Sequence, residues 1–163
     1  MEKTSDKSKE YRILFICLGN ICRSPAAEGI MKALVEREGL SERFFIDSAG
    51  IGGWHVGQLP DPRMRQHGAR HGYNFCSRAR QFAQSDFSRF DLIAVMDDEN
   101  YAAITSRART EEERKKVVCM ADFLTRHPHQ ATIPDPYYGG DKDFELVIEL
   151  LEDACRTLLN SYK

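Results

Sequence analysis

The sequence predicts a single α/β domain built on a mostly parallel sheet. Two observations carry this. Short, nearly unbroken apolar runs recur along the chain, as strands buried on both faces read. Segments of helical spacing separate them, which is the alternation that builds a parallel sheet. The 163 residues suit one core.

The elements follow in order. Residues 12–17, RILFIC, read as a first strand. From Ser24 the pattern becomes helical, with Ala27, Ile30, Met31, Leu34 and Val35 on one face; Pro25 suits the first turn and Gly39 the stop. Phe44-Phe45-Ile46 reads as a second strand running into Asp47-Ser48-Ala49-Gly50. A glycine-rich loop holding Trp54 comes next, and Asp61-Pro62 opens a helix reaching to about Gly72. Leu92–Met96 is a third strand, Glu99–Ser106 a short helix and Val117–Met120 a fourth strand. IPDPYYGGD, 133–141, is turn-forming, since its prolines remove ladder donors. A last helix starts near Asp143 with an apolar stripe of Phe144, Val147, Ile148, Leu151, Ala154, Cys155 and Leu158.

Composition excludes several classes. A net charge of -2 argues against nucleic acid as the main partner. No apolar run approaches the ~20 residues of a membrane span. The polar segment MEKTSDKSKE lacks a signal peptide's apolar stretch. The expectation is a soluble, cytoplasmic protein with a flexible leader at residues 1–10 and one domain over 11–163. Five cysteines, an odd number without C-x-x-C, argue for free thiols in a reducing compartment. His67 and His71 lie four apart, but no third ligand is evident; a solvated helix face is expected rather than zinc, and no metal site is assigned.

In a parallel sheet, ligands bind beyond the carboxyl ends of the strands. The loop after the first strand, CLGNICRS, is the most informative segment there. Gly19 and Asn20 tolerate positive φ, so the backbone N–H groups from Leu18 to Ser24, including those of Ile21 and Cys22, can converge on an anion. The following helix adds its unpaired donors. The nucleotide pattern G-x-x-x-x-G-K-[ST] is absent. Instead a cysteine opens the loop and an arginine closes it. A cysteine beside a helix N-terminus and a cation is a reactive thiolate. Cys17 is therefore the expected nucleophile, Arg23 a two-pronged clamp for phosphoryl oxygens, and Ser24 a hydrogen-bond partner for the sulfur.

A leaving alkoxide or phenoxide needs a proton, which arginine cannot give. Asp135, between two prolines, is the candidate acid. Local sequence alone favours a turn-capping role for it. Tyr137 and Tyr138 read equally as an aromatic wall or as surface packing. Trp54, in a loop outside any periodic element, suits binding more than core.

CLGNICRS, DSAG at 47–50, MD at 96–97 and DPYYGG at 135–140 together resemble the low-molecular-weight protein tyrosine phosphatases, in order over about Tyr11–Leu159. The resemblance implies a four-stranded parallel sheet with helices on both faces and a phosphate-binding loop after the first strand. It implies hydrolysis of phosphotyrosine proteins and small aryl phosphates through a phosphocysteine, without metal or organic cofactor. Cys17, Arg23 and Asp135 match the catalytic positions. Asn20, Ser24 and Ser48 match positions that hold the loop. Leu18, Ile21, Trp54, Tyr137 and Tyr138 match positions around the substrate ring. Cys22 matches a partner that captures oxidised Cys17. One departure stands out: Ser77 occupies a position where the family often places a loop-supporting histidine.

Two rivals share the fold. An arsenate reductase needs a downstream relay of paired cysteines, whereas Cys76 is isolated and Cys119 lies far along the chain. A protein-arginine phosphatase carries threonine where this chain has Ile21.

Overall fold

The computed structural model describes residues 10–163. Of the expected leader, residues 1–9 lie outside the described residues. Four strands form one parallel sheet: β1 (Tyr11–Cys17), β2 (Phe44–Gly50), β3 (Leu92–Val95) and β4 (Val117–Cys119), in the order β2-β1-β3-β4. The helices are α1 (Arg23–Arg37), α2 (Pro62–Arg70), α3 (Asp86–Arg89), α4 (Asp98–Thr105), α5 (Glu111–Lys115) and α6 (Asp141–Tyr162), with a 3-10 turn at Met120–Phe123. The predicted α/β class and strand set are what the chain folds into.

β1 explains why the first run is almost continuously apolar. Ile13 and Phe15 pack into one core layer with α1 and α6, while Leu14 and Ile16 face the other, with Phe82, Phe87, Phe90 and Ile104. All four side chains are fully buried. A strand covered on both faces has no polar side to show. The stripe predicted on the last helix, Phe144 through Leu158, is likewise fully buried and closes the first layer.

Several boundaries move. β2 runs on to Gly50, because Asp47, Ser48 and Ala49 continue the pairing with β1. α6 begins at Asp141, two residues early, where the Asp143 carboxylate accepts from the Gly140 N–H at 2.8 Å. Two short helices were not foreseen. α5 is nucleated by Thr110, whose hydroxyl accepts from the Glu113 N–H at 3.1 Å, followed by three acidic residues in its first turn. α3, of four residues, is too short to show a period. The helix face at His67 is not solvated as expected: this side chain is 1% exposed, under α6.

The topology fixes the site. From β1 the chain crosses to β2 on one side, and β3 flanks β1 on the other. The loops after β1 and β3 diverge above that junction, where doubly wound sheets bind ligands. No helix among the described residues is long and apolar enough to cross a membrane. Phe15→Ala should cost about 3–5 kcal/mol, as for other buried aromatics, read as a lowered denaturant midpoint at an unchanged m-value.

Candidate active site

Cys17 ends β1, and α1 starts six residues later at Arg23. Asn20 takes φ +60°, the left-handed turn that brings the chain round. Among the described residues, no backbone carbonyl accepts from the N–H groups of residues 18–23. α1 also has no side-chain cap at Cys22. The loop is thus a ring of unused donors at the positive end of a 15-residue helix. The Cys17 sulfur accepts from the Ser24 N–H at 3.4 Å and lies 3.0 Å from the Ser24 hydroxyl.

The loop is held by a buried polar chain. The Asn20 amide donates to Ser24 Oγ at 2.7 Å and to Ser48 Oγ at 3.0 Å, and its oxygen accepts from the Arg80 N–H at 3.0 Å. Ser48 in turn donates to Glu28 Oε1 at 2.6 Å, and Lys32 holds the other carboxylate oxygen at 2.6 Å. Ser77 makes no hydrogen bond to this chain among the described residues. Glu28, one turn into α1, anchors it instead. Gly50 lets β2 approach: a Cβ there would sit 3.0–3.1 Å from the backbone of Gly19 and Asn20.

Arg23 is buried and tied from two directions. Nη1 donates to Asp97 Oδ2 at 2.7 Å and to the Ile133 carbonyl at 2.8 Å, while Nη2 lies 3.8 Å from Asp135 Oδ2. Burial alone would make the guanidinium easier to deprotonate. The charge at Cys17, the hydrogen bond to Asp97 and the nearby Asp135 outweigh it and hold the cation more firmly than usual. Asp97 also caps α4, accepting from the Asn100 N–H at 2.8 Å. Cys22 behaves oppositely to a nucleophile. Burial first, then the charges of Asp61, Cys17 and Asp135, push its thiol well above the usual range.

A cavity of about 290 Å³ gathers Cys17, Leu18, Gly19, Ile21, Cys22 and Arg23 with Trp54, His55, Asp135, Tyr137 and Tyr138. Trp54 is 68% exposed and Tyr138 94%, so both stand at the rim. Neither Cys76 nor Cys119 lines it. A larger cavity, about 680 Å³, lies between α1 and α6 and holds none of the predicted site residues.

The comparisons with known proteins coincide with this geometry. A model of the low molecular weight phosphotyrosine protein phosphatases matches residues 12–163. The chain belongs to that family. A low molecular weight protein-tyrosine-phosphatase of Streptomyces coelicolor is 44% identical over 91% of this chain and 92% of its own. The low molecular weight phosphotyrosine protein phosphatase of Sus scrofa is 38% identical over 93% and 95%. A crystal structure of a protein tyrosine phosphatase from Entamoeba histolytica, with Hepes in its active site, superposes with a TM-score of 0.90 at 45% identity, covering 93% of this chain and 96% of that one. Low molecular weight phosphatases are cysteine-dependent hydrolases, and this chain is one of them.

Sequence reading assembled nearly every member of the cavity but missed two of its supports. Asp97 sat in the quoted MD pair, at the end of β3. Glu28 had a signal too: it falls on the buried stripe of α1 beside Ala27 and Met31, where a carboxylate needs a partner. Ser48→Ala strands both Asn20 and Glu28, and should cost about 1–3 kcal/mol. Ser77→Ala should stay within about 0.5 kcal/mol of wild type. Urea denaturation of both variants checks the pair.

Proposed function

We propose that this phosphatase hydrolyses phosphotyrosine in proteins, and small aryl phosphates, through a phosphocysteine on Cys17. The observation that carries this is the sharing of one cavity by Cys17, Arg23 and Asp135, with the sulfur held by Ser24 at the mouth of an unpaired ring of N–H groups. In the first step Cys17 Sγ attacks phosphorus and the bond to the tyrosine oxygen breaks. Asp135 gives its proton to that oxygen. Backbone donors of the loop and Arg23 stabilise the charge on the three phosphoryl oxygens. In the second step the Asp135 carboxylate takes a proton from water. The water oxygen attacks phosphorus, the sulfur–phosphorus bond breaks, and inorganic phosphate leaves. The Ser24 hydroxyl stabilises the departing thiolate.

Trp54, Tyr137, Tyr138, Leu18 and Ile21 supply an apolar surround for a phenyl ring. A branched alkyl side chain at Ile21 offers nothing to a polar guanidinium, which favours phosphotyrosine over phosphoarginine. The absence of Cys76 and Cys119 from the cavity disfavours a cysteine relay for arsenate. All five thiols are free, which supports a reducing, cytoplasmic setting.

Cys17→Ser should abolish turnover of an aryl phosphate while leaving the fold intact; a retained rate would rule out the phosphocysteine. Asp135→Asn should lower the rate on phenyl phosphate by about 10²–10⁴-fold. Wild type should prefer phosphotyrosine over phosphoarginine peptides, and the reverse order would overturn the role of Ile21.

Cys22 is a guard in this reading. Peroxide converts the Cys17 thiolate to a sulfenic acid, and Cys22 then displaces water to form a disulfide that a thiol reductant reopens. Oxidation removes the Cys17 charge, one of the causes that keep the Cys22 thiol protonated. After a peroxide pulse and reductant, Cys22→Ser should recover less activity than wild type.

A further inference from the structure

We propose that His67 is a positioning residue for the acid loop, holding the first turn of α6, and with it Asp135, against α2. His67 is 1% exposed, yet both ring nitrogens meet carboxylates of α6. Nδ1 lies 2.5 Å from Glu145 Oε2 and Nε2 lies 3.1 Å from Asp141 Oδ1. Ionised carboxylates only accept, so the ring is the donor in this cluster. His71, one turn on, shares the cluster through Glu145 Oε1 at 2.7 Å. The hydrogen bonds from His67 and then His71 hold the Glu145 carboxyl below its usual range. Arg70, Lys142 and Glu149 border the same recess. The ring also stacks on Phe144 at 5.8 Å, with an interplanar angle of 10°.

What joins this cluster to the chemistry is the short path from Asp141 back to Asp135. The Asp135 carboxylate accepts from the Tyr137 N–H at 3.1 Å. The Tyr137 carbonyl accepts from Arg63 Nη2 at 2.9 Å, and Gly139 N–H donates to the Pro136 carbonyl at 2.8 Å. Arg63 also lies over the Phe144 ring at 4.7 Å. Arg63 and His67 are four apart on α2, so they share one face. The acid loop hangs from α2 at two points: Arg63 grips its middle and His67 grips the helix start that closes it. Arg63 is itself fixed by Asp61 at 3.0 Å, and the Asp61 N–H donates to the Ile21 carbonyl of the phosphate loop at 2.8 Å. The two halves of the site therefore share one frame.

The clamp rests on the reading of Asp135 as proton donor. A donor must reach the leaving oxygen, and its importance grows as the leaving group becomes more basic. Misplacing a reacting group by 1 Å costs about 10²-fold. The experiment measures kcat/KM for wild type, His67→Leu, His67→Gln and Asp135→Asn on aryl phosphates running from dinitrophenyl to phenyl phosphate. His67→Leu should lose roughly tenfold or more on phenyl phosphate, and little on the dinitrophenyl ester. Gln keeps one donor and should recover part of the loss. An equal loss across the series, or none, overturns the positioning role. If His67→Leu fails to fold, Asp141→Ala carries the test: that side chain is 88% exposed and removes one acceptor. A smaller loss with the same leaving-group slope is expected, and a flat profile overturns the proposal. If Asp135→Asn is itself flat, the acid assignment fails and the clamp falls with it. A sloped Asp135→Asn beside a flat His67→Leu refutes the clamp alone.

Discussion

A buried guanidinium dictates how this site is assembled. Arg23 is 2% exposed, and a charge so placed must be paired or the fold loses several kcal/mol. Its own loop offers nothing, because the N–H groups there are donors too. The partners come from elsewhere: Asp97 at the end of β3, and the carbonyl of Ile133, 110 residues along the chain. Satisfying one cation thus draws the β1 loop, the β3 loop and the segment leading to Asp135 to one place. The Ile133 N–H closes the arrangement by donating to the Met96 carbonyl at 2.9 Å. Asp135 is delivered beside Arg23 by the same contacts that make the buried cation tolerable.

The complementary constraint is the unused donor ring. A loop whose N–H groups find no acceptor among the described residues has weak cohesion of its own. It keeps its shape through side chains, and Asn20 is the hub: its amide spends both donors on Ser24 and Ser48 and its oxygen on the Arg80 N–H. The loop's shape therefore does not depend on its backbone donors, which stay unused. The cost is a run of buried polar groups from Asn20 through Ser48 to Glu28, each of which must be satisfied by the next. Among the described residues, no buried side-chain nitrogen or oxygen is left without a partner.

Much of this was legible in the residues. β1 reads as a strand because both its faces are core, and α1, Pro25 and Gly39 carry ordinary start and stop chemistry. The spacing of Cys17 and Arg23 across a Gly-Asn turn is local, so sequence alone exposes it. Asp135 was harder, since its local surroundings say only that a turn is present; its closeness to Arg23 is made across most of the length of the chain. Glu28 and Asp97 escaped for a related reason: each acts through a hydrogen bond to a residue from another element. His67 was misjudged because helical spacing shows which residues share a face, not what covers that face. α6 arrives over it from 74 residues downstream.

The same distinction separates the two thiols of the loop. Cys17 and Cys22 are both nearly inaccessible, at 3% and 4% exposure. Burial alone would make both inert. What differs is the company each keeps. The Cys17 sulfur has the Ser24 N–H, the Ser24 hydroxyl and the Arg23 cation around it. Cys22 has the carboxylates of Asp61 and Asp135 and the charge of Cys17 itself. A thiolate next to donors and a cation is stabilised; a thiol surrounded by negative charge keeps its proton. Five residues apart in one loop, the two cysteines keep opposite electrostatic company: burial and neighbouring negative charge push the Cys22 thiol above the usual range.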